Sequence, residues 1–147
     1  MFKKIITTMG RFFWQMPQNY IGLIMSIASK KCMSYTCNDG KEVQVYFNNG
    51  MFGSGVSLGD YIIFDTIYLG HKEVWKESIN HEHGHQKQSM YLGPLYLIII
   101  GLPSFLGNII FRIFNIESKK YYKQPWEAWA DKLGHVTRKP IIKAKKI

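Results

Sequence analysis

The chain has 147 residues, 46% apolar and 15% aromatic, a length and composition that suit one domain with one core and exclude disordered, collagen-like and low-complexity chains. Nineteen Lys and Arg against ten Asp and Glu give a formal net charge of +9, which favours an anionic partner, nucleic acid or an acidic membrane surface, without choosing between them. Two cysteines, Cys32 and Cys37, exclude a disulfide-stapled mini-fold. Their C-x4-C spacing with no second pair makes buried or free thiols the default over a structural zinc.

In chain order, the first feature is an uncharged run over residues 12–29, bounded by Lys3, Lys4 and Arg11 before it and Lys30 and Lys31 after it. Gln15, Pro17, Gln18 and Asn19 interrupt the run, which makes a spanning helix marginal. An interfacial segment over residues 1–30 fits better. Phe12, Phe13, Trp14 and Tyr20 are the aromatic types that settle at headgroup level, and the flanking cations suit anionic lipid. A signal peptide is the weaker alternative, because Arg11 cuts the apolar region and only Ser26-Ile27-Ala28 resembles a cleavage site.

Residues 41–66 read as strands. Residues 42–47 alternate polar and apolar, and Asn48-Asn49-Gly50 supplies the turn chemistry of a hairpin, so a strand over 51–57 should follow, loosened by Gly53 and Gly55. Residues 60–65 read as a buried strand. Together they predict a small antiparallel sheet. A helix over 73–90 follows, and then a second uncharged gap over 88–111 leads into an apolar segment spanning 92–114. Pro94, Gly101, Pro103, Gly107 and Asn108 disfavour one uninterrupted helix and predict two short helices or a re-entrant hairpin broken at Gly101-Leu102-Pro103. A buried core hairpin wrapped by the N-terminal segment is the other reading, and it requires that no large apolar patch stay exposed. The chain closes with a helix over 125–136 and a basic tail over 139–147.

Inside the 73–90 helix lies His81-Glu82-His83-Gly84-His85. Residues four apart on a helix share a face, so His81 and His85 can both offer an imidazole nitrogen to one tetrahedral cation. Glu82 sits roughly 100° round the helix from His81, within reach of a water on such a metal, as a general base requires. His83, roughly 200° from His81, should point away. Gly84 costs about 1 kcal/mol relative to Ala in a helix interior, which is tolerated where another backbone or a substrate must come close.

Catalytic zinc takes three protein ligands and keeps one position open. Glu127-Ala128-Trp129-Ala130-Asp131 offers the third: Glu127 and Asp131 are again four apart, so Glu127 can bind the metal while Asp131 accepts from the far nitrogen of a ligand histidine. Trp126, Ala128, Trp129, Ala130 and Leu133 make that helix too apolar for a plainly solvated face.

His81-Glu82-x-Gly84-His85 followed by Glu127-x-x-Ala130-Asp131-x-x-Gly134 resembles the gluzincin metallopeptidases, most closely the membrane-associated group typified by the CAAX-prenyl and HtpX-like proteases. The run from His81 to Ser89 into Leu92-Gly93-Pro94-Leu95-Tyr96 is also similar to small bacterial and phage-type proteins. The resemblance covers about half the chain and implies a compact α+β zincin-like domain in which His81, His85 and Glu127 bind Zn2+, Glu82 is the catalytic general base and Asp131 supports a ligand from behind. Only 41 residues separate His85 from Glu127, too few for the long helices of the large membrane proteases. No motif marks a transition-state stabiliser: Tyr91, Tyr121, Tyr122 and Arg138 stay open, and His135, eight residues after Glu127 on the same helical face, is the first choice.

The function these features predict is zinc-dependent hydrolysis of a peptide or protein substrate by a membrane-associated protein, with residues 51–57 or 60–65 as the strand that aligns the substrate. The alternatives are a soluble cytoplasmic peptidase and a non-catalytic zincin-fold binding protein, membrane or nucleic-acid associated. The nucleic-acid form is weak, because the lysines are scattered through termini and flanks and no recognition motif is present.

Overall fold

The computed structural model describes residues 2–51, 55–70 and 72–138, so the basic tail expected over 139–147 lies outside the described residues. The class is α+β, but the sheet is mixed rather than antiparallel. Its order is β1-β2-β4-β3, built from β1 (Lys31–Thr36), β2 (Glu42–Asn48), β3 (Gly55–Leu58) and β4 (Tyr61–Asp65). β1 pairs antiparallel with β2 and β3 antiparallel with β4, whereas β2 and β4 run parallel, Val45 opposite Ile62.

Two expectations change here. β1 is a strand the sequence did not announce. As an edge strand it turns only Met33 and Tyr35 inward, so its alternation is faint. The turn at Asn49-Gly50 forms, with Gly50 at φ +80, yet the chain does not fold back on β2. That flank of β2 is taken by β4, and β3 crosses to the far side and returns through a tight turn at Gly59 (φ +63).

Alternation along the strands sets the two faces of the sheet. Val43, Val45, Phe47, Ile62 and Phe64 face one way and join Trp75 and Ile79 of α3 (Lys72–Leu92) in the core. Phe47 meets the Trp75 indole edge-on at 5.9 Å. The other face carries Tyr61, against which Gly22 of an N-terminal helix is pressed so closely that a Cβ would collide with the Tyr61 ring and the Leu58 carbonyl.

The N-terminal segment is two helices, α1 (Phe2–Trp14) and α2 (Gln18–Ile27), separated at Pro17, which has no N–H to continue α1. Gln15, Gln18 and Asn19, the apparent interruptions of an apolar run, are fully buried. Gln18 donates to Ser89 Oγ (3.1 Å) and to the Gly93 carbonyl (2.7 Å), and Asn19 Oδ1 accepts from the Asp60 amide (2.7 Å). These polar side chains fasten the N-terminal helices to the body.

The apolar segment bends at a different place from the one expected. α3 stops where Gly93 takes φ +54, with Pro94 directly after it. A 3-10 turn over Gly93–Leu95 and a π-helical turn over Leu97–Gly101 lead into α4 (Leu102–Ile113), and the two flanking helical runs lie 119° apart. Gly101-Leu102-Pro103 is no break, because Pro103 occupies the first turn of α4, where a missing N–H costs nothing. Neither is the segment a wrapped core hairpin: Ile98, Leu102, Phe105 and Ile113 are all exposed. A short helix α5 (Ser118–Tyr121) precedes α6 (Pro125–Leu133).

α6 packs directly on α3. Gly84 lies against the Ala130 carbonyl and Gly134 against the Asn80 carbonyl, each too close for a Cβ. From the other side the β1–β2 turn clamps α3. Asp39 Oδ2 accepts from Lys87 (2.9 Å) and contacts His83 Nε2 (3.0 Å), and the Asn38 amide donates to Asn80 Oδ1 (2.7 Å). Cys32 and Cys37 are both free, and burial together with the Asp39 charge pushes the Cys37 thiol up to about 11.

Burial alone would raise the Asp39 carboxyl, but its hydrogen bonds from Lys87 and His83 hold it well below the usual carboxylate range. A depressed folded-state pKa contributes stability that is complete above the unfolded value, about 4, and is lost as pH falls through the folded one. Asp39→Asn should therefore cost about 1–2 kcal/mol at pH 7, with the gap to wild type shrinking as the pH is lowered from about 4. Chemical denaturation across that range reads both.

Candidate metal centre

The close approach of α3 and α6 brings three ligand atoms together. One atom each from His81, His85 and Glu127 all lie within 4.8 Å of one another, in a buried group that could hold a metal ion. The His81 and His85 rings stand nearly perpendicular with centroids 4.7 Å apart, as the i, i+4 spacing dictates. Glu127 is fully buried.

The donor set fits a cation better than it fits itself. Glu127 Oε2 lies 3.0 Å from His81 Nε2 and 3.4 Å from His85 Nε2, yet it accepts no hydrogen bond among the described residues and is buried. The nitrogens crowd the oxygen without aiming a proton along its lone pair, which is the arrangement of three donors converging on a common point. A buried carboxylate oxygen left so is costly, and a metal ion between the three would satisfy it.

The far side of each ligand is held. His81 Nδ1 lies 2.7 Å from Asp131 Oδ1, and His85 Nδ1 lies 2.7 Å from Gln88 Oε1, whose own amide donates to the Trp126 carbonyl at 2.8 Å. Both acceptors require Nδ1 to carry a proton, so Nε2 of each ring faces inward and is the nitrogen a metal would take. Asp131 is fixed in turn by Arg138, which donates from Nε to Oδ2 (2.6 Å) and from Nη2 to Oδ1 (2.8 Å). Glu127 Oε1 accepts from the Tyr121 hydroxyl at 2.8 Å, and that hydroxyl also meets Ser104 of α4.

The electrostatics follow from these contacts. Burial alone would lower His81, but its bond to Asp131 and the Glu127 carboxylate 3.0 Å away hold it up at about 9, so the metal-free imidazole is protonated at neutral pH. Burial would raise Glu127, yet the same two histidines keep its carboxyl far below the usual range. Glu82, next to the ligand face, is pushed upward by burial against the pull of His85 and His81.

The remaining candidates divide. His83 turns to Asp39 and to Gln86 Oε1 (2.9 Å), on the opposite side of α3. His135, the first choice as transition-state stabiliser, is misplaced for that role. It sits exposed at φ +54 just past the end of α6, where the helical register that put it on the Glu127 face has ended. It lines clefts of about 300 and about 410 Å3, neither of which includes His81, His85 or Glu127. Tyr91 is exposed and stacks on Trp129 at 6.4 Å, and Tyr121 is committed to Glu127. Tyr122 stays beside the site, its ring 5.2 Å from His81 and beneath the Arg138 guanidinium.

Sequence reasoning did not reach Gln88 or Tyr96. Gln88 had a usable signal, since it lies three residues beyond His85 on the same helical face. Tyr96 had none: it lies beyond the 119° bend, which returns its ring to within 6.5 Å of His85. Burial, with the nearby Glu82 and Glu127 carboxylates, pushes the Tyr96 phenol well above its ordinary pKa, so it remains a donor.

Comparison with known proteins finds no family model, no curated protein and no solved structure that matches this chain.

Tyr121→Phe should weaken metal affinity about 10 to 100-fold, the size usual for a partner that holds a metal ligand from behind. Competition with a chelator of known affinity measures it. Affinity equal to wild type would mean that the Tyr121 hydroxyl does not hold Glu127 for a metal.

Proposed function

We propose that the chain is a zinc-dependent peptidase of the gluzincin type, with His81, His85 and Glu127 holding the metal and Glu82 acting as general base. The observation that carries the reading is the buried convergence of two histidines and one carboxylate, beside a second carboxylate that ligates nothing. Three ligands with no fourth His, Cys, Asp or Glu joining them among the described residues match a centre that keeps a position open for water or substrate.

When bound, zinc supplies a Lewis acid that polarises a peptide carbonyl and makes a water acidic near pH 7. Glu82 takes the attacking water's proton on its carboxylate and returns it to the departing amine nitrogen. The upward push of burial on its pKa suits both halves of that exchange. Asp131 and Gln88 keep the two imidazoles in the tautomer that faces the metal, and Arg138 keeps Asp131 in place. An extended substrate needs an open strand edge. β4 lies between β2 and β3, which removes residues 60–65 as the aligning strand and leaves β3, an edge strand that packs beside α3. Tyr96 ties the two together, its hydroxyl reaching the Ser57 carbonyl at 3.4 Å.

A second reading is favoured by one observation, the closure of the centre. His81, Glu82 and His85 are each 8% exposed or less, as in a metal site that only stabilises a fold, and a substrate gains access only when a neighbouring side chain moves aside. Glu82→Gln separates the two. As a peptidase, the variant keeps its zinc and loses about 10²–10⁴-fold in cleavage of an unfolded protein substrate, because the amide cannot take the proton. A wild-type chain that holds zinc and cleaves no unfolded protein or peptide library, or a Gln variant with wild-type turnover, contradicts the catalytic reading.

A further inference from the structure

We propose that the outward faces of α2, of the corner after α3 and of α4 form a seat for an anionic lipid bilayer, into which the chain sinks partway without crossing it. The inference rests on these faces alone and stands or falls independently of the peptidase reading.

An amphipathic helix of a protein surrounded by water turns its apolar stripe to the core. α4 does the reverse. Leu102, Phe105, Leu106, Ile109, Ile110 and Ile113 recur at spacings of three and four over a roughly 140° arc, and every one is exposed, Phe105 by 63% and Ile113 by 69%. The opposite arc faces the protein with Ser104, which bonds Tyr121 (2.9 Å), Gly107, which lies against Gln124 and Tyr121, and one aromatic, Phe111, whose ring meets that of Tyr121 at 5.5 Å. α2 repeats the inversion. Gln18, Asn19 and Gly22 are buried, whereas Tyr20, Ile21, Ile24 and Ile27 are exposed. Two helices distant in sequence share an inside-out pattern, while the sheet, with Trp75 and Ile79 at the start of α3, buries apolar side chains in the ordinary way.

Trp14, just ahead of α2, is tied to the corner that leads into α4. Trp14 Nε1 donates to the Met90 carbonyl at 2.9 Å, and the indole lies against Gly93. The exposed side chains of Leu95, Ile98 and Ile99 then carry the surface from that corner onto α4. A continuous apolar face of this extent marks an interaction site.

Charge selects the occupant. Lys30 and Lys31 follow α2 and Arg112 stands in the last turn of α4, all three exposed on a chain of formal charge +9, while Arg11 ahead of α2 is already paired with Asp60 at 3.2 Å. A second copy placed symmetrically on this face would bring like-charged rims together. Anionic headgroups neutralise them, at about fivefold in affinity per cation. Trp14, Tyr20 and Tyr91, exposed beside the stripes, are aromatic types of the membrane–water boundary. Depth follows from length. No single helix among the described residues is long and apolar enough to cross a membrane; the runs Trp75–Leu95 and Leu97–Ile113 are so only as a pair bent by 119°, and the exposed run Leu97–Ile113 reaches about 25 Å against a hydrocarbon core of about 30 Å.

The test is flotation of the full chain, purified in mild detergent and transferred either to phosphatidylcholine vesicles, to phosphatidylcholine–phosphatidylglycerol vesicles, or to buffer alone. The chain should float with the mixed vesicles, bind at least about fivefold less to the neutral ones, and lose at least about tenfold in partitioning when Phe105→Ser and Ile109→Ser are combined. A second readout needs no change in α4: brominated lipids should quench the fluorescence that wild type has and Trp14→Phe lacks. Recovery as a detergent-free monomer that stays below the vesicles overturns the proposal. So does a dimer in buffer that ignores vesicles and falls apart on the same double substitution, since the occupant is then a second copy.

Discussion

Gly84 and Gly134 let the backbones of α3 and α6 meet, and that contact is what the candidate centre depends on. Each glycine lies against a carbonyl of the facing helix with no room for a Cβ, so the axes come close enough for Glu127 to reach between His81 and His85. The helical cost of Gly84, about 1 kcal/mol, is small beside what the approach permits. It also forces a charge problem, because a carboxylate with no exposed surface must be neutralised by what surrounds it. Without metal the neutralising group is His81, whose imidazole is held protonated up to about 9 by Asp131 and Glu127. The same buried negative charge serves a proton or a metal cation, and the two compete for one place.

Around that centre the molecule faces two different surroundings. The sheet and α3 bury Phe47, Ile62, Phe64 and Ile79, whereas α2 buries Gln18, Asn19 and Gly22, α4 buries Gly107, and both show most of their apolar side chains outward. The inward polar groups tie the helices to the body: Gln18 Nε2 bonds the end of α3, Asn19 bonds the turn before β4, and Ser104 bonds the tyrosine that holds Glu127. α4 therefore reaches Glu127 through one hydroxyl pair, so this apolar helix is part of the support of the candidate centre as well as of the molecular surface.

The sequence carried the local regularities of this arrangement and missed what depends on long-range placement. The two i, i+4 pairs and the position of Glu82 could be read because helical geometry alone determines them. The outward turn of His83 was legible by the same arithmetic. His135 was not, since its register ended with α6 two residues earlier. β1 was hidden because an edge strand buries little, and the crossing of β3 to the far side of β4 left no local mark, as the turn chemistry at Asn49-Gly50 fits either path. In the apolar segment several residues could break a helix, and only tertiary contact distinguishes Gly93, which does, from Pro103, which sits harmlessly in a first turn. Gln15, Gln18 and Asn19 were read as flaws in an apolar run when they are its anchoring face.

The most direct test of the account is calorimetric titration of zinc into the metal-free chain near pH 7.5, repeated in buffers of different ionisation enthalpy. Three converging ligands with a protonated His81 among them predict one zinc per chain and release of about one proton on binding, with both lost in Glu127→Ala. Zinc uptake that releases no proton, or that survives the loss of Glu127 unchanged, would contradict the assignment of the centre.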